Sequence, residues 1–398
     1  MNCKKVIESF GHRFAKSTIS LVAPDELSRK KAVSSYYAVK FWLHNKRRVM
    51  SDHTAEELLS WQRVMDSKVK YSKEIYRGNS LYGAGRALRE YAGILSPLKA
   101  CIEHGLYLGN YANPLELDKS GLPAIVTFGP ARARHIRDSS SVPILAVGPY
   151  IAYAEDYLAE DQMARAKQML GRTLLAFPSH SVDYIKKRFD VPRYIEHLKA
   201  RAEDEGMDTV LVSLYFADVL NGAAEPYERA GFKVVTSGYR EDSNFLPRLR
   251  SLILLADSTS SNSMGTHIGY CVYLGRPHCV FQQDWIAKGA TKADNEHVVA
   301  ACSSASGIEE RCEIVDAFTV PFDGITERQL KVCNKYWGFE CVKSREELVR
   351  YFDLLERASA QSGCHLPLDV AESLEKMTLS SLGFSRVSAD LLDRDVAS

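Results

Sequence analysis

Apolar residues change their spacing along this chain, and the changes mark out its elements. Up to about residue 105 they recur at helical intervals among charged neighbours, as in residues 55–69 and 83–92. From residue 124 the pattern turns to short apolar runs bounded by Gly, Pro and Ser. Residues 124–128, 144–147, 174–177, 209–215 and 233–236 are predicted strands. Helical stretches alternate with them at 195–205, 217–230 and 245–256. In the last, Phe245, Leu249, Leu252, Ile253 and Ala256 share one face. Residues 148–158 read as a loop opening a helix. After about residue 285 the chain reads helical again and ends in a polar tail.

Repeated strand–helix units of this length predict a parallel sheet covered on both faces. Such sheets bind ligands at the carboxyl ends of their strands, near a topological switch point. Nearly every polar motif in the chain follows a predicted strand; the one at Glu103 is the exception. At 398 residues the chain exceeds the usual size of one core. The expected fold is α/β, with two Rossmann-like domains facing a cleft and extra helices at both ends. The expected divisions are 1–165, 166–365 and a helical tail, 366–398, packing back on the first domain.

Composition narrows the function classes. Lys and Arg number 51 against 50 Asp and Glu, so no global charge draws the chain to nucleic acid. No apolar run reaches the roughly 18 residues that span a bilayer, and residues 1–14 lack the apolar core of a signal peptide. Nine scattered cysteines without a close CxxC pair read as reduced thiols of a cytoplasmic protein. Zinc is not expected.

The most informative stretch is residues 260–281, SSNSMGTHIGYCVYLGRPHCVF. It reads as a strand exit, a small polar turn, a short helix and a buried strand. Ser261, Asn262, Ser263, Gly265 and Thr266 would offer hydroxyls and N–H groups to a phosphate at the helix start, with His267 donating a further bond. A capped core helix with an incidental histidine is the plainer explanation. The loop lacks the GxxxxGK[ST] and GxGxxG patterns, which disfavours ATP hydrolysis and hydride transfer.

Other motifs supply candidate chemistry. Residues 237–249, SGYREDSNFLPRL, place Arg240, Glu241 and Asp242 between a strand and a helix. Arg240 could grip a carboxylate or phosphate; Asp242 could act on a substrate or simply cap the helix. FPSHS sets Ser179, His180 and Ser181 at a strand exit, where they could hold a phosphate or ribose. Glu103 and His104 form an acid/base-like pair, and GPYIAYAEDYL carries Tyr153 and Glu155. Solvated helix faces would explain these last two motifs equally.

Taken in order, EHG, GPYIAYAEDYL, FPSHS, GYREDSNFLPRLRS and SNSMGTHIGYCVYLGRPH resemble bacterial GT-B glycosyltransferases of surface polysaccharide synthesis. They are most similar to the retaining β-Kdo transferases that use CMP-Kdo. The match spans roughly residues 100–285 and is most specific in the last two motifs. The resemblance implies a CMP-activated ulosonic acid as donor, bound by the second domain, and a saccharide or lipid-linked saccharide acceptor bound by the first. It gives Asp242 the role of nucleophile, moving to Glu241 if that side chain points inward. Ser261–Thr266 and His267 fall to the CMP phosphate, Ser179–Ser181 to the nucleotide and Tyr270 to the donor site. Glu155 becomes the base for the acceptor hydroxyl, Glu103, His104 and Tyr153 line the acceptor side, and Arg240 pairs with the sugar carboxylate. No metal or other cofactor is expected. A lipid-linked acceptor would bring the protein to the inner membrane or an assembly complex, although no amphipathic anchor stands out. The competing activities are a nucleotide-sugar epimerase or hydrolase of the same fold, an inverting sialyltransferase-like enzyme, and a nucleotide-sensing scaffold.

Overall fold

The computed structural model describes residues 53–71, 74–110, 122–181, 185–284, 286–289, 305–321, 323–360 and 367–383, with seven positions between Ser28 and Trp42. Three short parallel strands, β1 (Cys101–Ile102), β2 (Ile125–Thr127) and β3 (Ile144–Ala146), make one sheet in that order. Every residue of these strands is buried, as in a parallel sheet covered on both faces. Helix α1 (Pro130–Ser139) carries the chain from β2 to β3. Pro130 begins it, where a missing N–H breaks no helical bond.

The second sheet is larger. Strands β4 (Thr173–Phe177), β6 (Thr209–Ser213), β7 (Lys233–Val235), β8 (Ser258–Ser261) and β9 (His278–Val280) are all parallel. Their order is β7-β6-β4-β8-β9. The chain winds outward from β4 to β7, crosses back, and continues outward from β8 to β9. The switch point therefore falls between β4 and β8, with a crevice above their carboxyl ends. An antiparallel ribbon of β5 (Ile185–Arg188) and β10 (Ile286–Gly289) stands apart from this sheet. Helix α2 (Val191–Asp204) leads to β6, α3 (Phe245–Leu255) to β8 and α4 (His267–Tyr273) to β9.

Strand alternation sorts the core. Leu174, Ala176, Val210 and Val212 pack against Tyr194 and Leu198 of α2. Their neighbours Leu175, Phe177 and Leu211 face the other way and join Leu252 and Ile253 of α3. That second cluster also takes in Val126 and Leu145 of the first sheet, so one apolar core runs through both. Helix α5 (Ala305–Phe318) and helix α6 (Glu327–Trp337) add Phe318 and the fully buried Trp337 to it. Helix α7 (Leu368–Ser381) returns to the first sheet. There Thr378 Oγ1 accepts from the Ile144 N–H at 3.0 Å and Ser381 Oγ from the Ala146 N–H at 3.1 Å. Two N–H groups of the edge strand β3 are thus satisfied by helix hydroxyls. Among the described residues no helix is long and apolar enough to cross a membrane.

The observed elements differ from the sequence expectation in instructive places. The helix expected over 55–69 is two pieces, Ala55–Leu58 and Trp61–Asp66, because Ser60 caps the second by accepting from the Arg63 N–H. The one over 217–230 breaks at Asn221 and Gly222 into Phe216–Leu220 and Glu225–Arg229. Residues 148–158 hold a single 3-10 turn, Tyr150–Tyr153, and the next helix starts only at Glu160. β1 is two residues long, too short for alternation to reveal. The motif at Glu103 therefore follows a strand like the others.

Candidate functional site

The crevice at the switch point is built from two loops. FPSHS leaves β4 and SSNSMGTH leaves β8, and the two strands are hydrogen-bonded neighbours, Phe177 in register with Ser261. Asn262, 1% exposed, locks the loops together: its Oδ1 accepts from the Ser179 N–H at 2.6 Å, and its Nδ2 donates to Gln283 Oε1 at 3.0 Å. His267 stacks on Phe177 at 4.7 Å between ring centroids, and His180 lies 4.9 Å from Tyr215. Gly265 is required by close approach, since a Cβ there would sit 2.6 Å from the His267 ring.

Two polar atoms in this crevice are buried without a partner: Ser179 Oγ and His267 Nε2. Such atoms cost stability unless a ligand or water meets them. Burial pushes the His267 imidazole down to about 3, and the charges of His180 and Lys187 add to the effect. Burial also lowers His180, against an opposing hydrogen bond to the Ser181 carbonyl. Both rings are neutral at pH 7. His278 sits behind them, 5.5 Å from His267, with Nδ1 bonded to Thr259 Oγ1 at 2.8 Å and Nε2 to Ser261 Oγ at 3.0 Å. Sequence reading missed His278, although its place at the start of an apolar strand made a core histidine the natural reading.

Thr266, expected to offer its hydroxyl to a phosphate, is engaged by the first sheet instead. Its side chain does not cap α4; its Oγ1 accepts from the Leu106 N–H at 3.0 Å, and its carbonyl accepts from Trp337 Nε1 at 3.0 Å. The EHG loop after β1 thereby touches the GTH loop after β8, and the polar ends of both sheets meet. With only seven residues, α4 supplies little of the dipole expected at this position. Tyr270 is 5% exposed in the core near Phe128, and burial raises its phenol pKa. It does not line the crevice. Ser263 is half-buried and accepts through its carbonyl from Ser261 Oγ at 2.9 Å. Ser181 is tied by its N–H to Asp218 Oδ2 at 3.0 Å.

The YREDSN loop lies against the first part of the chain. Tyr82 donates its N–H to the Arg240 carbonyl, and Arg86 Nη1 donates to Ser243 Oγ at 2.6 Å. Tyr82 has φ 57°, the only non-glycine positive φ among the described residues, and its ring lies 5.9 Å from His104. Asp242 is 1% exposed. Its Oδ2 accepts from Arg248 Nη1 at 2.9 Å, and its Oδ1 accepts from the Asn244 N–H at 3.0 Å and the Lys70 N–H at 3.4 Å. It caps the turn into α3 and neutralises a buried arginine. Glu241, with a third of its side chain exposed, pairs with Arg240 at 3.1 Å.

On the first sheet, Glu103 is held by Arg132 at 2.6 Å and by Thr127 Oγ1 at 2.7 Å, with both charged side chains 5% exposed. It is a structural carboxylate that fixes the loop after β1. His104 is half-buried, its Nε2 3.3 Å from Tyr107 Oη. Tyr153 is buried, bonding the Val147 carbonyl at 2.5 Å and the Lys343 N–H at 2.8 Å. Burial raises its phenol. Glu155 is exposed, beside Asp156, which pairs with Arg250 at 2.7 Å. The structure thus gathers Ser179, His180, Asn262, Thr266 and His267 into one crevice. Glu103, Tyr153, Tyr270 and Asp242 occupy the framework around it.

No family model and no curated protein matches this chain. Two solved structures share limited likeness. UGT71G1 of Medicago truncatula, complexed with UDP-glucose, is 14% identical over 65% of this chain, with a TM-score of 0.24. The match covers 54% of that protein, so the chain spans about half its length. UDP-GlcNAc 2-epimerase from Neisseria meningitidis, bound to UDP-GlcNAc, is 10% identical over 89% of this chain and 97% of its own, with a TM-score of 0.28. At TM-scores this low the likeness carries no weight for fold or chemistry.

Proposed function

We propose that this chain is a GT-B-type glycosyltransferase that binds a nucleotide sugar in the crevice between β4 and β8. One observation carries the reading. The loops at the switch point present two buried, unpartnered polar atoms, Ser179 Oγ and His267 Nε2, and the EHG loop of the first sheet bonds Thr266, the residue before His267. A doubly wound sheet binds nucleotides at this position, and a second sheet opposite supplies a wall for an acceptor. The finer reading follows the motif resemblance: a CMP-activated ulosonic acid as donor and a saccharide as acceptor, with residues 166–365 as the donor domain and 1–165 as the acceptor domain.

The crevice suits departure of a nucleotide phosphate. Neutral His267 can donate from Nε2 without a proton being taken up first, and Ser179 adds a hydroxyl. Donors aimed at developing charge contribute about 3 kcal/mol each in comparable sites. In a double displacement, a carboxylate must offer an oxygen to the anomeric carbon. Asp242 can do so only if donor binding draws Arg248 away, whereas Glu241 needs only to leave Arg240.

Calorimetry with CMP, UDP and GDP tests the donor site. Binding of CMP alone supports the full reading, binding of UDP or GDP instead replaces the donor, and binding of none overturns the proposal. Turnover of CMP-Kdo that ignores any added saccharide would make the protein a hydrolase. Intact mass after donor exposure assigns the nucleophile. An adduct lost in Asp242→Asn and kept in Glu241→Gln supports Asp242, and the reverse moves the role to Glu241. No adduct in the wild-type protein removes double displacement and leaves an inverting reaction.

A further inference from the structure

The β5–β10 ribbon carries Lys186, Lys187, Arg188 and Lys288 and no carboxylate among its eight residues. A two-stranded ribbon is marginally stable in water. It is joined to the crevice through Lys187, whose N–H donates to Ser181 Oγ at 3.4 Å. The Lys187 ammonium is near enough to both His180 and His267 to oppose their protonation. The other charges felt there are few: Asp218 acts on His180 but is engaged by the Ser181 N–H, and His278 behind His267 is itself neutral. Lys187 is thus tied through its backbone to the loop that carries Ser179, and Ser179 Oγ and His267 Nε2, on the two neighbouring loops, have unmet hydrogen-bonding capacity.

We propose that Lys187 is the counter-charge for the phosphate of the bound nucleotide, brought to the crevice by the β5–β10 ribbon and acting beside Ser179 Oγ and His267 Nε2. The inference rests on the donor-site reading above and adds to it the residue that supplies the positive charge. The division of labour is physical. His267 is held neutral, so the charge that balances a phosphate must come from elsewhere. Lysine suits the task as a compact charge on a long, adjustable stem. A sugar carboxylate presents similar chemistry, and the test separates the two.

Titration calorimetry with CMP, cytidine and free Kdo on wild-type, Lys187→Met, Lys187→Arg and Lys331→Met protein tests the assignment. Lys331 is a remote, exposed lysine paired with Glu327. The expected result is that wild type binds CMP at least about tenfold tighter than cytidine, the worth of a charge-assisted contact. Lys187→Met should lose most of that ratio, Lys187→Arg should keep it, and Lys331→Met should not alter it. Raising salt should weaken CMP binding in wild type more than in Lys187→Met. Unchanged CMP affinity in Lys187→Met would overturn the inference while leaving the donor site standing. A loss confined to free Kdo would assign Lys187 to the sugar carboxylate and also overturn it. Failure of wild type to bind CMP would instead sink the CMP-donor reading on which the inference rests. If Lys187→Met does not fold, a wild-type CMP to cytidine ratio near one would refute the counter-charge, and a salt-dependent ratio would support it.

Discussion

Replacing Asp242 with asparagine removes a negative charge from one of the most enclosed ion pairs in the protein. Asp242 and Arg248 are each 2% exposed at the side chain and 2.9 Å apart. Asp242 holds the Arg248 guanidinium in its charged form against burial, which acts to lower it. Without the carboxylate, Arg248 keeps two long contacts, to the Ser237 carbonyl and Ser67 Oγ at 3.4 Å each, the Tyr157 hydroxyl and ring, the latter 5.0 Å away, and the more distant charge of Glu57. Its Nε has no partner at all. Breaking a buried pair from one side costs about 3–5 kcal/mol, because a charge is left uncompensated. Urea denaturation of Asp242→Asn should show that loss. The double variant Asp242→Asn, Arg248→Met should recover much of it, since an apolar replacement leaves no charge to solvate. A loss below about 1 kcal/mol in the single variant, or no recovery in the double, would refute the account of a tightly enclosed pair. The measurement also guards the mechanistic test, since absent activity in Asp242→Asn means little unless the variant is folded during the assay.

Two further outcomes follow from the same framework. Gly269→Ala would place a Cβ 2.3–2.4 Å from ring atoms of the fully buried Trp337, so overpacking should cost about 1–3 kcal/mol. Trp337 also bonds the Thr266 carbonyl, so CMP affinity should fall with the melting temperature, and an unshifted melt would contradict the packing. The buried histidines set an acid limit. His180, His197, His267 and His278 all sit below their ordinary value, His197 at about 4 and His267 at about 3, chiefly through burial. The unfolded chain protonates them near pH 6.5 while the folded chain does not, so stability is full above about pH 6.5 and falls as pH drops towards 3. Urea midpoints should decline from pH 7 to 5 and decline less in His267→Asn; a flat profile over that range would show the rings are not held neutral.

Local pattern alone determined a good deal. Apolar runs between Gly, Pro and Ser fixed five of the strands to within a residue or two, and the small polar exits of β4 and β8 marked the crevice. These signals are legible because strand periodicity and turn chemistry depend on near neighbours. Tertiary structure decided which polar residues remain available. Glu103, half of an acid/base-like pair in the sequence, is enclosed by Arg132, 29 residues on, and Asp242 is paired with Arg248 from within α3. The Asn262–Ser179 bond and the Thr266–Leu106 bond join segments 83 and 160 residues apart. Nor does anything in IKKR announce that the Lys187 N–H will bond Ser181 Oγ. A carboxylate's sequence neighbours say what it could do, whereas its role depends on which distant charge or N–H the fold presses against it. Burial makes each such pairing too costly to break.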